Sequence, residues 1–95
     1  MYSQVLVCYD IENDKKRRKL YEELKDLGLR PVQKSVFWGY LLQSEKRVVK
    51  YLLKKYCDKE SDRGFMVNAN LDKNLEYSVG YSKDEFKKPD SFDII

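Results

Sequence analysis

Residues 4–28, Q-V-L-V-C-Y-D-I-E-N-D-K-K-R-R-K-L-Y-E-E-L-K-D-L-G, join a short apolar run to a periodic one, and that change of pattern sets the fold. Residues 4–9 are mostly apolar and β-branched and are closed by Asp10, which suits a central strand buried on both faces. Asn13 and Asp14 are helix-capping residue types, and Leu20, Leu24 and Leu27 recur at i, i+4 and i+7 before Gly28, so a helix runs from the cap to the glycine. Downstream, residues 32–41, V-Q-K-S-V-F-W-G-Y-L, are rich in β-branched and aromatic side chains. They read either as one bulged strand or as a tight hairpin pivoting near Lys34 and Ser35, with Pro31 tolerated as a first strand residue. Ser44 then caps a second helix, in which Val48, Val49, Leu52, Leu53 and Tyr56 form a broad apolar stripe. The polar run 58–63 ends it. Residues 64–70 and 75–81 read as two further strands forming a hairpin about Asp72-Lys73-Asn74, because Leu75, Tyr77, Val79 and Tyr81 alternate with polar or glycine positions.

This order predicts an α+β ferredoxin-like sandwich, an antiparallel sheet with two helices on one face. Residues 1–82 make the domain. Residues 83–95 form a tail, polar until Phe92, Ile94 and Ile95, whose apolar end docks on its own domain or swaps onto a partner subunit. With 95 residues and 11.4 kDa there is room for one domain only, and folding hides about 60% of the surface the unfolded chain exposes. A small core and an uncovered sheet face together predict a homodimer.

Composition excludes several chemistries. The chain has no histidine, and its two cysteines, Cys8 and Cys57, lack a C-x-x-C spacing, so histidine-based triads, histidine acid–base catalysis and the usual zinc sites are ruled out. Unpaired thiols, and the lack of any leader-like or membrane-spanning run, lead to the expectation of a cytoplasmic protein without membrane contact. Hydrophobic residues are 42% and aromatics 14%, too many for a disordered segment despite a mean hydropathy of −0.72. The net charge of +3 is modest, but fourteen of the nineteen cations and nine of the sixteen acids fall in residues 1–60, so the basic excess belongs to the first two thirds.

The sharpest chemistry lies in residues 9–19, where Asp10 closes a buried strand and five consecutive cations, Lys15 to Lys19, open the next helix. Cations in a first helical turn oppose the macrodipole by a few tenths of a kcal/mol each. Phosphate bound at that turn, with Lys16, Arg17 and Arg18 adding charge, gives them a reason outside the fold; a merely solvated basic face is the alternative. Asp10 is read in two ways, as a turn residue or as a ligand for a hard cation. For the second, Mg²⁺ takes one or two carboxylates with water and substrate phosphate, and two copies of Asp10 across a dimer axis would supply a pair. The aromatics of 36–40, preceded by Arg30 and Lys34, could stack bases or simply fill a core or interface.

Y-D-I at 9–11, the run ending in Arg17, Arg18 and Lys19, and G-L-R-P-V-Q-K-S-V-F-W-G at 28–39 closely resemble the CRISPR-associated protein two family of prokaryotic adaptive immunity. The resemblance covers about residues 3–57, and N-L-E-Y-S-V-G-Y-S at 74–82 is similar to the family's last core strand. It implies a ferredoxin-like homodimer whose C-terminal segment often joins the partner's sheet. It also implies a part in spacer acquisition, bridging CRISPR integrase subunits and holding duplex DNA. Some members are Mg²⁺-dependent endoribonucleases or DNases, and on that reading the catalytic residues are Asp10, Tyr9 and Arg17, with Asp10 also the metal ligand. The nucleic-acid contacts would be Lys16, Arg17, Arg18, Lys19, Arg30, Lys34, Ser35 and Phe37. Pro31 stands where the family often has a basic residue, with Arg30 one position earlier, and a one-residue shift turns a strand side chain to the opposite face. Trp38 stands where an acid is frequent. A non-catalytic scaffold and a toxin-like ribonuclease of the same fold are the competing functions.

Overall fold

The computed structural model describes residues 1–82 together with 85 and 86. In chain order the elements are β1 (Ser3–Asp10), α1 (Asp14–Asp26), β2 (Arg30–Gln33), β3 (Val36–Leu41), α2 (Gln43–Tyr56), β4 (Arg63–Asn68) and a four-residue helical turn, α3 (Leu71–Asn74). The four strands form one sheet in the order β2-β3-β1-β4, and every neighbouring pair is antiparallel. This is the βαββαβ ferredoxin-like arrangement, with β1 central as its apolar run requires.

Side chains alternate along β1, and the alternation assigns its two faces. Val5, Val7 and Tyr9 point into the helix layer, where they meet Leu20 and Leu24 of α1, Val49, Leu52 and Tyr56 of α2, and Phe37 and Leu41 of β3. Tyr56 ties the two helices together by donating its hydroxyl to Glu23. On α1, Asn13 accepts from the Lys16 N–H at 2.9 Å, and the helix stops at Gly28, whose φ of 95° is in the region that glycine adopts without strain.

Residues 32–41 are a hairpin rather than one strand. Lys34 and Ser35 make the turn, Ser35 in the left-handed region at φ 61°, and the register slips between Pro31 and Gln33. Pro31 is tolerated because β2 is an edge strand. The second helix begins one residue before Ser44: Leu42 is its N-cap, and the Glu45 carboxylate accepts from the Leu42 N–H at 2.7 Å.

The second expected hairpin does not form. Residues 71–74 turn as a helix, and residues 75–82 carry no strand. Among the described residues the alternation of 75–81 gains no second apolar surface to pack on, and Tyr77 and Val79 are 95% and 94% exposed. Instead this segment folds across the sheet face opposite the helices. The Tyr81 hydroxyl donates to the Val32 carbonyl at 2.8 Å, and Phe86 packs edge-on against Trp38 with ring centroids 5.1 Å apart. Part of that face is therefore covered, and Trp38 is buried there. The rest stays open: Leu6 and Cys8 are half-buried, and their cross-strand partners Val67 and Phe65 are 46% and 53% exposed. Phe92, Ile94 and Ile95, expected to anchor the tail, lie outside the described residues.

Candidate functional site

Three loops meet at the C-terminal end of β1. The Tyr9 N–H donates to the Ser35 carbonyl at 3.1 Å, which brings the Lys34–Ser35 turn against the strand end. On the other side β4 begins, with Arg63 registered opposite Asp10. The third, residues 11–13, leads into α1 and is fixed by Asp62, whose carboxylate accepts from the Glu12 N–H at 3.1 Å and the Asp58 N–H at 2.8 Å. Those two bonds, with the Ser61 hydroxyl and the nearby Lys16 charge, hold the Asp62 carboxyl below its ordinary value. Asp62 and Arg63 carried no signal in the sequence, because both sit in a polar run that reads as a helix-ending loop.

Tyr9 and Asp10 leave this junction in opposite directions. Asp10 is exposed on the open face of the sheet, the face that also carries Cys8 and Phe65. Tyr9 turns into the helix layer and is buried between Phe37, whose ring centroid is 6.3 Å away, and the α1 side of the junction. Its hydroxyl meets Ser35. Burial raises the Tyr9 phenol above its ordinary value, while the Ser35 contact and the Arg17 charge pull it back.

A cleft of about 610 Å³ opens above Tyr9, lined by Tyr9, Asp14, Arg17, Arg18, Tyr21, Lys34 and Ser35. The structure thus brings together five of the expected site residues: Tyr9, Arg17, Arg18, Lys34 and Ser35. Arg17 is half-buried and is held by its own loop, donating to the Ile11 carbonyl at 2.8 Å and pairing with Asp14 rather than reaching Asp10. Lys16 and Lys19 are exposed on α1 outside the cleft, with Lys16 lining a smaller recess beside Glu12, Asn13 and Asp62. Phe37 is fully buried and meets the cleft only through the rings it supports, Tyr9 and Tyr21. Arg30 is registered opposite Trp38 on the other face of the sheet, where its guanidinium donates to the Glu85 carbonyl. Tyr21 was not anticipated: its place one residue past the core leucine Leu20 marks it as a surface position, and only the close approach of the 34–35 turn makes it a wall.

Among the described residues no three carboxylate or thiol groups stand together as a metal cage. Of the expected ligands, the chain offers the exposed carboxylate of Asp10. That meets the oxygen chemistry of Mg²⁺ but supplies half of the usual carboxylate pair. No described helix is long and apolar enough to cross a membrane.

The sheet order and the cation-lined cleft define a small ferredoxin-like α+β protein with that cleft at one end of its central strand. Residues 1–74 match the family described as CRISPR associated protein Cas2, so the chain belongs to the Cas2 family and is a CRISPR-associated protein. It is 39% identical over 90 residues to the CRISPR-associated endoribonuclease Cas2 1 of Francisella tularensis subsp. novicida, covering 94% of this chain and 92% of that one. A Korarchaeum cryptofilum protein named CRISPR-associated endoribonuclease Cas2 is 43% identical over 60 residues, covering 63% of this chain and 64% of that one. Among solved structures, Streptococcus pyogenes Cas2 superposes with a TM-score of 0.68 at 25% identity, covering 80% of this chain and 99% of that one. A hypothetical protein from Thermus thermophilus superposes with a TM-score of 0.66 at 29% identity, covering 73% and 83%.

Proposed function

We propose that two copies of this chain pair through the open sheet face, so that their Asp10 carboxylates together hold Mg²⁺ and the dimer cleaves phosphodiester bonds in RNA or DNA during CRISPR adaptation. The observation that carries this reading is the position of Asp10: exposed at the strand end, on the same face as the uncovered Phe65 and Val67, and in no cluster of three metal-ligating groups among the described residues. Burying that apolar patch against a second copy is favourable at about 25 cal/mol per Å² and would bring the carboxylates of two strand ends together. When bound, Mg²⁺ supplies Lewis-acid polarisation of the phosphodiester. The chain's own residues supply position: Asp62 fixes the loop that follows Asp10, and Arg63, opposite Asp10 in the register, places a cation where a phosphate would lie. Asp10→Ala is expected to abolish Mg²⁺-dependent cleavage of a labelled oligonucleotide while leaving the dimer intact; full cleavage by a clean Asp10→Ala preparation rules the site out.

A second reading is a scaffold without chemistry that bridges integrase subunits and grips duplex DNA. It is favoured by the exposed cations Lys15, Lys16, Arg18 and Lys19, which sit on α1 although a first helical turn prefers acids. Under that reading Asp10→Ala integrates spacers normally, whereas charge reversal at Lys16 and Arg18 weakens duplex binding and flattens its salt dependence.

A further inference from the structure

We infer that the cleft above Tyr9 is a metal-independent pocket for a single unpaired nucleotide, its phosphate held by Arg18 and Lys34 and its base packed on Tyr21. The inference rests on the nucleic-acid reading of this edge and not on the chemistry of Asp10, which lies on the other face of the sheet. Arg18 and Tyr21 stand on the same side of α1, three residues apart, and face Lys34 and Ser35 of the turn across the cleft. Arg17 is already neutralised by Asp14. Arg18 and Lys34 are exposed and have no ion-pair partner among the described residues, so the cleft keeps two uncompensated cations.

Two exposed cations lining a cleft together with the side chains of Tyr9 and Ser35 match a phosphate group. At about 610 Å³ the cleft is far larger than that anion alone and falls within the range of small-molecule sites. The remaining wall is aromatic. Tyr21 is partly exposed, is braced by Phe37 with ring centroids 5.1 Å apart, and carries the Lys25 ammonium 5.6 Å from its ring centroid, a surface side chain that an incoming base would displace. A base in a duplex has both faces stacked and cannot reach such a wall, so the chemistry selects a nucleotide free of pairing.

The test is calorimetric titration of the full chain in EDTA with adenosine 5′-monophosphate, inorganic phosphate and adenosine. Adenosine 5′-monophosphate is expected to bind at least about tenfold more tightly than either part, with Arg18→Ala and Lys34→Ala each weakening it by about tenfold and Lys34→Arg restoring it. Tyr21→Ala should weaken the nucleotide and leave phosphate unchanged. Equal binding of nucleotide and phosphate, no binding of the nucleotide, or indifference to Arg18 and Lys34 would each overturn the pocket. None of these outcomes touches the Asp10 cleavage test, so the two readings fail separately.

Discussion

Tyr9 and Asp10 are consecutive in β1 yet serve opposite faces of the sheet: Tyr9 is 6% exposed within the helix layer, and Asp10 is exposed on the open face. Two chemically different surfaces thus meet at one strand end, a cleft lined by cations on one side and an exposed carboxylate beside an apolar patch on the other. Their separation makes the two surfaces independently testable.

The open patch predicts its own disruption. Phe65→Asp or Val67→Lys would place a charge in the proposed interface and should raise the dimer dissociation constant by at least about tenfold, measured by sedimentation equilibrium. Because Phe65 and Val67 are half-exposed in the single chain, monomer stability should shift by less than about 1 kcal/mol. A variant that remains a wild-type dimer would show that the chains associate elsewhere or not at all.

Asp62 gives the junction a definite acid response. Its carboxyl is held below the ordinary 3.8 by N–H groups of Asp58 and Glu12, so the folded state favours the charged form. The stability it contributes is present above the unfolded value of 3.8 and is lost as pH falls through the lower folded value. Asp62→Asn should therefore flatten the decline in melting temperature below pH 4. An unchanged acid limb would place that response on other carboxylates.

Behind the cleft, Phe37 is fully buried against Tyr9 and Tyr21, and Phe37→Ala should cost about 3–5 kcal/mol in chemical denaturation. Ser35 is a separate matter of backbone. At φ 61° a β-branched side chain is strained, so Ser35→Val should cost about 1–3 kcal/mol and Ser35→Gly less than about 1 kcal/mol. Equal costs for the two would mean that the turn relaxes to another conformation.

The elements that β1 and α1 build were legible in the sequence because their signals are local: an apolar run ended by Asp10, a leucine period ended by Gly28. The turn at Lys34 and Ser35 could be placed but not decided, since a hairpin there needs a non-glycine residue at positive φ, which composition does not announce. Residues 75–81 misled for the opposite reason. Their alternation is that of a strand, but a strand needs a neighbour, and Tyr77 and Val79 find none among the described residues. In the candidate site, Tyr9, Arg17 and Arg18 stood out by sequence, whereas Asp62 and Tyr21 are defined only by which loops the sheet brings together. Arg30 was separated from the cleft by one step of register, which turns it to the face of Trp38.

The proposed metal chemistry stands or falls on Asp10, and a Mg²⁺ titration of oligonucleotide cleavage, run in parallel on wild type and Asp10→Ala with matched dimer content, tests it most directly. The proposed site predicts saturable Mg²⁺ activation in the wild type and loss of at least about a hundredfold in rate in the variant, whose fold and association are unchanged. Cleavage by Asp10→Ala at the wild-type rate and with the same Mg²⁺ dependence would contradict it.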